Sequence, residues 1–170
     1  MYSVLMTAFV PGHGRDETFD TLADFARYAE LVDAVREVEV LPPEPDGSLV
    51  SHWVVLFRKG LLRWSESDTF DRGRGVISFT QTDGDFDVFE GGWTVESAED
   101  GAAVTFRAEF DFGVPSMAGI VDPVAGRVLL ENLELILQGL FAQSDVRVIR
   151  AEHGVAGSSA TTAGTHRTAG

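Results

Sequence analysis

The chain has 170 residues, no cysteine and a formal charge of −14, with 27 acidic side chains against 13 basic ones. That length suits one domain with its own core, and the missing cysteines exclude disulfides and thiolate metal sites. The acidic balance argues against nucleic acid, whose phosphates call for a basic surface.

MYSVLMTAFV reads as a first strand, with no basic segment ahead of an apolar run, so a signal peptide is not expected. No apolar stretch approaches the roughly 18 residues of a membrane span, and a cytoplasmic location is expected. Asp16 or Thr18 caps a helical segment over 16–32, with Phe19, Leu22, Ala23, Phe25, Ala26 and Leu31 as its apolar positions and a break near Asp24. VREVEVL is the second strand, and the prolines of PPEPDG mark a loop. SLVSHWVVLF and LLRWSESDTF follow as strands joined through an RKG turn, and DRGRG makes a tight connection with Gly73 and Gly75 available for positive φ.

From Gly75 to Phe112 three stretches, GVISFTQTDGDF, DVFEGGWTVES and AAVTFRAEFDF, alternate apolar with polar residues at period two. They are broken at Asp83-Gly84 and Glu99-Asp100-Gly101, the pattern of an antiparallel meander with one buried face. Phe86, Phe89, Trp93, Phe106, Phe110 and Phe112 make that face strongly aromatic. Pro115 and Gly119 mark a loop, and Asp122 with Pro123 opens a last helix over about 122–150. Val121, Ala125, Val128, Leu129, Leu133, Ile136 and Leu140 share one face of it, and Arg127, Glu131, Glu134 and Gln138 share the other. Asn132 falls inside the apolar arc, either as a structural polar group or as a hydrogen-bonding group toward something bound beneath the helix. Residues 1–150 are expected to form the domain. Residues 151–170, small and polar from about His153, are expected to be a disordered tail.

Strand, two short helices, six strands and a long helix describe an α+β helix-grip arrangement: a curved antiparallel seven-stranded sheet wrapped around a C-terminal helix. At this point the chain resembles a known group. Asp24-Phe25-Ala26-Arg27-Tyr28-Ala29-Glu30-Leu31 followed by VREVEVL is similar to the opening motif of START-like (Bet v 1-like, SRPBCC) polyketide cyclases/dehydrases and their coenzyme Q-binding relatives. Gly84-Asp85-Phe86, Trp93 and DGAAVTFRAEFDF resemble a second stretch of that superfamily, and FGVPSMAGIVDPVAGRVLLENLELILQGL resembles its loop and closing helix. The likeness covers about residues 2–145.

The resemblance implies an elongated apolar cavity between sheet and helix in which a poly-β-keto chain undergoes aldol ring closure and dehydration without a cofactor. Ring closure of a flexible chain is mainly an entropy problem that a shaped cavity relieves. The chemistry then needs a base, a donor to the developing oxyanion and an acid. By strand parity Trp64, Glu66, Asp68 and Phe70 share one face, and Arg63, Ser65, Ser67 and Thr69 the other. If the aromatic set faces inward, Glu66 and Asp68 are the candidate acid and base; reversed parity makes both surface charges. His52 shares a face with Val54 and Leu56 on a strand apolar on both sides, and is a third catalytic candidate or a structural histidine. Candidate substrate-binding residues are Tyr28, Trp64, Phe70, Phe86, Phe89, Trp93, Phe106, Phe110, Asn132 and Ile136.

The resemblance also brings two departures: the aromatase/cyclase branch has an inward arginine where this chain has Asp68, and a tyrosine or similar polar residue where it has Val35. The four histidines lie far apart in sequence, so no metal site is expected, and no Gly-rich phosphate loop or G-x-S-x-G elbow is present. Two readings stand. One is a polyketide cyclase/dehydratase whose substrate is free or presented by an acyl carrier protein. The other is a non-catalytic carrier of a hydrophobic small molecule such as a quinone, lipid or polyketide. Either a monomer or a homodimer is compatible with both.

Overall fold

Alternation and breaks in the sequence become nine antiparallel strands and three helices in the computed structural model, which describes residues 1–156 and 161–162. Strand β1 spans Tyr2–Pro11, α1 Arg15–Ala23 and α2 Tyr28–Leu31, the two helices being linked by a 3-10 turn at Phe25–Arg27. Then come β2 (Val35–Val40), β3 (Leu49–Phe57), β4 (Gly60–Asp71), β5 (Val76–Gly84), β6 (Val88–Ala98) and β7 (Gly101–Asp111). Helix α3 runs Pro115–Leu140 and is followed by β8 (Arg147–Val155) and β9 (Thr161–Thr162).

The strand order is β2-β3-β4-β5-β6-β7-β1-β8-β9, so β1 closes the meander by pairing with β7 over its whole length. Tyr2, Val4, Met6, Ala8 and Val10 on β1 alternate with half-exposed neighbours and turn inward. On β7 Ala102, Val104, Phe106, Ala108 and Phe110 do the same. Helix α3 lies against this inner face, burying Leu130, Leu133, Ile136, Leu137 and Leu140, while Arg127, Glu131, Glu134 and Gln138 stay exposed. Each such large apolar side chain contributes roughly 1.5–3 kcal/mol by leaving water. The helix sits close to β1 because residue 126 is glycine: a Cβ there would stand 2.7 Å from Cε1 of Tyr2 and 3.1 Å from Cβ of His153.

Five expectations are corrected. The helix α1 starts at Arg15 with Gly14 as N-cap and no capping side chain, so Asp16 lies in its first turn rather than at the cap. There Asp16 complements the positive end of the helix dipole. Helix α3 begins at Pro115, not at Asp122, because Pro115 supplies the pre-set φ of a first helical position and Pro123 is carried inside the helix. A proline ring meets the carbonyl four residues earlier, which here belongs to Gly119. At its other end α3 stops at Leu140, well short of Arg150. The backbone leaves the helix at Phe141, with φ −115° and ψ 44°, and RVIRAEHGV, which contains three β-branched residues, pairs as β8 with β1. Residues 151–155 therefore belong to the domain rather than to a tail, and the sheet exceeds the expected seven strands. The expected disorder of 157–160 and 163–170 lies outside the described residues.

Candidate functional site

Between the inner face of the sheet and α3 lies a cavity of about 100 Å³, and a second of about 50 Å³ adjoins it. Val55, Trp64, Phe89, Leu129 and Asn132 line both, so the two form one space pinched in the middle. The larger part runs under α2, with Phe25, Tyr28 and Val35 in its wall. The smaller part reaches the β3–β4 hairpin at Leu56, Phe57 and Leu62, opposite Ala125 and Val128 of α3. Eight of the sixteen residues lining the larger part are aromatic, and Glu66 is its one ionisable carboxyl.

The β3–β4 hairpin sets this arrangement. Phe57 pairs with Gly60, so Trp53 stands opposite Trp64 and Ser51 opposite Glu66. The two indoles stack with centroids 5.9 Å apart and planes at 1°. Phe25 and Tyr28 meet Trp53 edge-on at 5.6 and 5.8 Å, and Phe89 meets Trp64 at 5.4 Å. Inward parity places Glu66, 4 % exposed, and Asp68, 0 % exposed, side by side within the sheet–helix layer.

Their hydrogen bonds come from neutral groups. Trp64 Nε1 donates to Glu66 Oε1 at 2.7 Å. Ser51 Oγ donates to Asp68 Oδ2 at 2.5 Å and itself accepts from Trp53 Nε1 at 2.9 Å. Asp68 Oδ1 is buried and receives no N–H or alcohol O–H bond, while the Glu66 and Asp68 carboxyls hydrogen-bond to each other. No lysine, arginine or histidine lines either cavity. Burial pushes Glu66 well above the ordinary carboxylate range and neighbouring Asp68 pushes it further, against the pull of the Trp64 N–H. Burial also raises Asp68, while Glu66 and the Ser51 hydroxyl hold it back. The contact thus acts in opposite directions on its two members, as when Glu66 is the proton donor and Asp68 the acceptor. The pair titrates as one unit. Tyr28, whose hydroxyl donates to the Leu22 carbonyl at 2.6 Å, is raised by its own burial and then by the charges of Glu66, Asp24 and Asp68.

Of the candidate binding residues, Tyr28, Trp64, Phe89, Trp93, Phe106, Asn132 and Ile136 line the larger cavity, and Phe86 and Phe110 line the smaller. Phe70 does not line either; its ring packs on Phe25 at 5.6 Å, one step beyond Asp68 along β4. His52 is corrected. Inward-facing Ser51 and Trp53 put it on the outer face of β3, where Nδ1 hydrogen-bonds with the Ser65 hydroxyl at 2.5 Å, away from the cavity. Sequence reasoning missed Ser51 and Trp53 because β3 is apolar on both faces. The signal was the two-residue turn Arg58-Lys59, which alone fixes which β3 residue faces which on β4. Asp68 and Val35, the two positions that depart from the aromatase/cyclase pattern, are both buried, and Val35 is in the cavity wall.

The family described as polyketide cyclase / dehydrase and lipid transport matches residues 12–136. No curated protein matches the chain. Among solved structures, a protein of Thermus thermophilus superposes with a TM-score of 0.74 at 23% identity, covering 83% of this chain and 95% of that one. The Zhui aromatase/cyclase of a Streptomyces species gives 0.67 at 17% identity over 84% and 93% of the two chains. A START superfamily protein from Mycobacterium smegmatis gives 0.66 at 16% identity, covering 82% and 98%. At these identities the likeness establishes the helix-grip fold. Among the described residues no helix is long and apolar enough to cross a membrane.

Proposed function

The chain belongs to the polyketide cyclase / dehydrase and lipid transport family, and from that premise we propose that it is a cyclase/dehydratase acting on a poly-β-keto intermediate through the Glu66–Asp68 pair. The observation that carries this reading is a buried carboxyl, Glu66, at the wall of an apolar cavity, backed by a second buried carboxyl, Asp68, with no cation in the lining. A carrier needs only greasy walls. Two acids removed from water cost the fold several kcal/mol unless they are used or compensated.

The chemistry is a proton cycle. A methylene between two carbonyls gives a proton to the carboxylate of the pair, and the resulting enolate forms a carbon–carbon bond to a ketone further along the chain. The new alkoxide takes a proton from the acid form. Water then leaves as the α-carbon gives up a proton to the carboxylate and the departing hydroxyl receives one from the acid. No net proton is consumed, so a pair that holds one proton between two carboxyls matches the cycle. Glu66 reaches the cavity and Asp68 does not line it, which suits Glu66 to the transfer and Asp68 to sharing the proton. Ligand pockets for drug-sized molecules run about 300–1,000 Å³. A space of about 100 Å³ with an annex of about 50 Å³ therefore suits the reacting ring alone, with the remainder of the chain, free or tethered to an acyl carrier protein, leading out past the β3–β4 hairpin.

The test is incubation with a minimal polyketide synthase. Wild type is expected to redirect the products toward cyclised, dehydrated species, and Glu66→Gln and Asp68→Asn to lose that redirection. A product profile identical with and without the wild-type protein removes the enzyme reading. The almost wholly apolar lining favours the second reading, a carrier of a hydrophobic small molecule, which such a result would leave standing.

A further inference from the structure

We propose that the same cavity is a receptor for a small organic cation, a compact primary or quaternary ammonium ion, held by the Glu66 carboxyl, with Asp68 behind it, and by the surrounding aromatic rings. The inference shares the cavity with the cyclase reading and does not depend on its chemistry.

Three observations converge on it. First, the pair is incomplete as a charged unit. The two carboxyls hydrogen-bond to each other, and their other donors, one serine hydroxyl and one indole N–H, are neutral. Buried carboxylates are ordinarily matched by a cation or a set of hydrogen bonds. No lysine, arginine or histidine stands in the cavity wall, so the protein leaves the matching charge to something bound. Second, the rest of the wall is aromatic. Trp53, Trp64, Tyr28 and Phe89 surround the space beside Glu66, and ring faces attract an ammonium ion most strongly where water is excluded. Third, the size is right for such an ion and wrong for a large one: about 100 Å³ admits an ammonium group with a short chain or a single ring. Among the described residues no three histidines, aspartates or glutamates are placed to hold a metal ion.

Binding would displace the proton that the empty pair retains. The titratable groups around Glu66 are Asp68 on its own strand and Tyr28 on α2, with the charge of Asp24 behind Tyr28. β3 and α3 contribute Ser51, Trp53 and Asn132, none of which titrates. Tyr28 stays neutral throughout the working range because burial raises it, so the pair alone sets the pH dependence. An ammonium ion in the site also removes the acid form that the cyclase cycle requires, and so acts as an inhibitor of it.

The experiment titrates the full chain with two cations and their uncharged counterparts: choline against 3,3-dimethylbutan-1-ol, and benzylammonium against benzyl alcohol. Fluorescence of the cavity indoles and calorimetry are the readouts. At pH 8 at least one cation is expected to bind about tenfold or more tightly than its uncharged counterpart, the magnitude of a cation–π contact joined to an ion pair. That preference shrinks toward pH 5, and heats measured in buffers of different ionisation enthalpy report release of a proton. Glu66→Gln abolishes the preference without abolishing binding of the uncharged partner. Equal affinity within both pairs, or no saturable change with either cation, overturns the proposal without recourse to any variant. The two readings fail separately. Cyclisation without cation preference sinks only this inference, and cation binding without cyclisation sinks only the enzyme.

Discussion

Two clusters of buried polar side chains occupy different parts of the sheet, and only one of them reaches the cavity under α3. On β3 and β4, Glu66 lines that cavity, and Ser51 and Asp68 are buried behind it. On β1 and β8, the Tyr2 hydroxyl, kept protonated by burial and the charge of Asp122, hydrogen-bonds with His153 Nδ1 at 2.5 Å. There the space is filled: Phe110 lies 5.5 Å from the Tyr2 ring, and α3 presses in at Gly126 with no room for a Cβ. Both clusters hold ionisable groups moved from their ordinary values by burial. Burial and titration therefore do not separate a functional site from a structural one here. A carboxyl in the wall of the cavity under α3 does.

The comparison breaks if the two clusters respond alike to substitution. The largest effect is expected at the carboxyl pair. Glu66→Gln should lower cyclising turnover about 10²–10⁴-fold, the usual contribution of a general acid or base, while Tyr2→Phe leaves turnover unchanged. Equal losses in a product assay would mean that the second cluster also serves the chemistry. Next in size is a packing test. Gly126→Val should cost about 3 kcal/mol, because its added atoms meet Tyr2 and His153 at less than van der Waals distance. Asn132→Leu, at the junction of the two cavities, should cost less than about 1 kcal/mol because there the neighbouring volume is empty. Thermal and urea unfolding of the two variants would sharpen the contrast, and equal costs would deny it.

Much of this was legible in the residues, and what was not has a physical cause. Period-two alternation over GVISFTQTDGDF, DVFEGGWTVES and AAVTFRAEFDF gave β5, β6 and β7 and their inward rings, because a half-buried strand has to alternate. Trp64 and Phe70 pointed to one parity of β4 and left the reverse, with both acids at the surface, open; the fold takes the parity that buries Glu66 and Asp68. The face of β3 was illegible because both sides of that strand are covered by apolar residues; only its pairing with β4 sends Ser51 inward and His52 outward. The end of α3 was illegible because Leu140, Phe141, Val146 and Val148 continue an apolar rhythm past the helix, and no proline or glycine between 141 and 150 marks the stop at Phe141. Cavity size is beyond periodicity altogether. It depends on how Trp53 and Trp64 stack across the hairpin, a matter of rotamers rather than pattern.

The smallest effect, and the one that separates the clusters by sign, is pH dependence. Glu66 is raised above its ordinary 4.5 by burial, so the native state holds a proton that the unfolded chain releases. The stability this represents is fully present below about pH 4.5 and is lost as pH rises through the folded value of the pair. His153 is lowered from its ordinary 6.5, by burial first and then by the charge of Arg127. Its contribution is present above about pH 6.5 and is lost as pH falls through the folded value. Glu66→Gln should therefore gain stability relative to wild type as pH is raised from about 5 to 8, on the order of 1 kcal/mol and at no more than about 1.4 kcal/mol per pH unit. His153→Asn should gain by a similar order as pH is lowered from about 7 to 5. Urea midpoints measured across that range decide the matter. Two differences of opposite slope keep the clusters distinct, whereas a flat difference for Glu66→Gln would mean that the carboxyl pair ionises as freely as it does in water and that the cavity wall is wet.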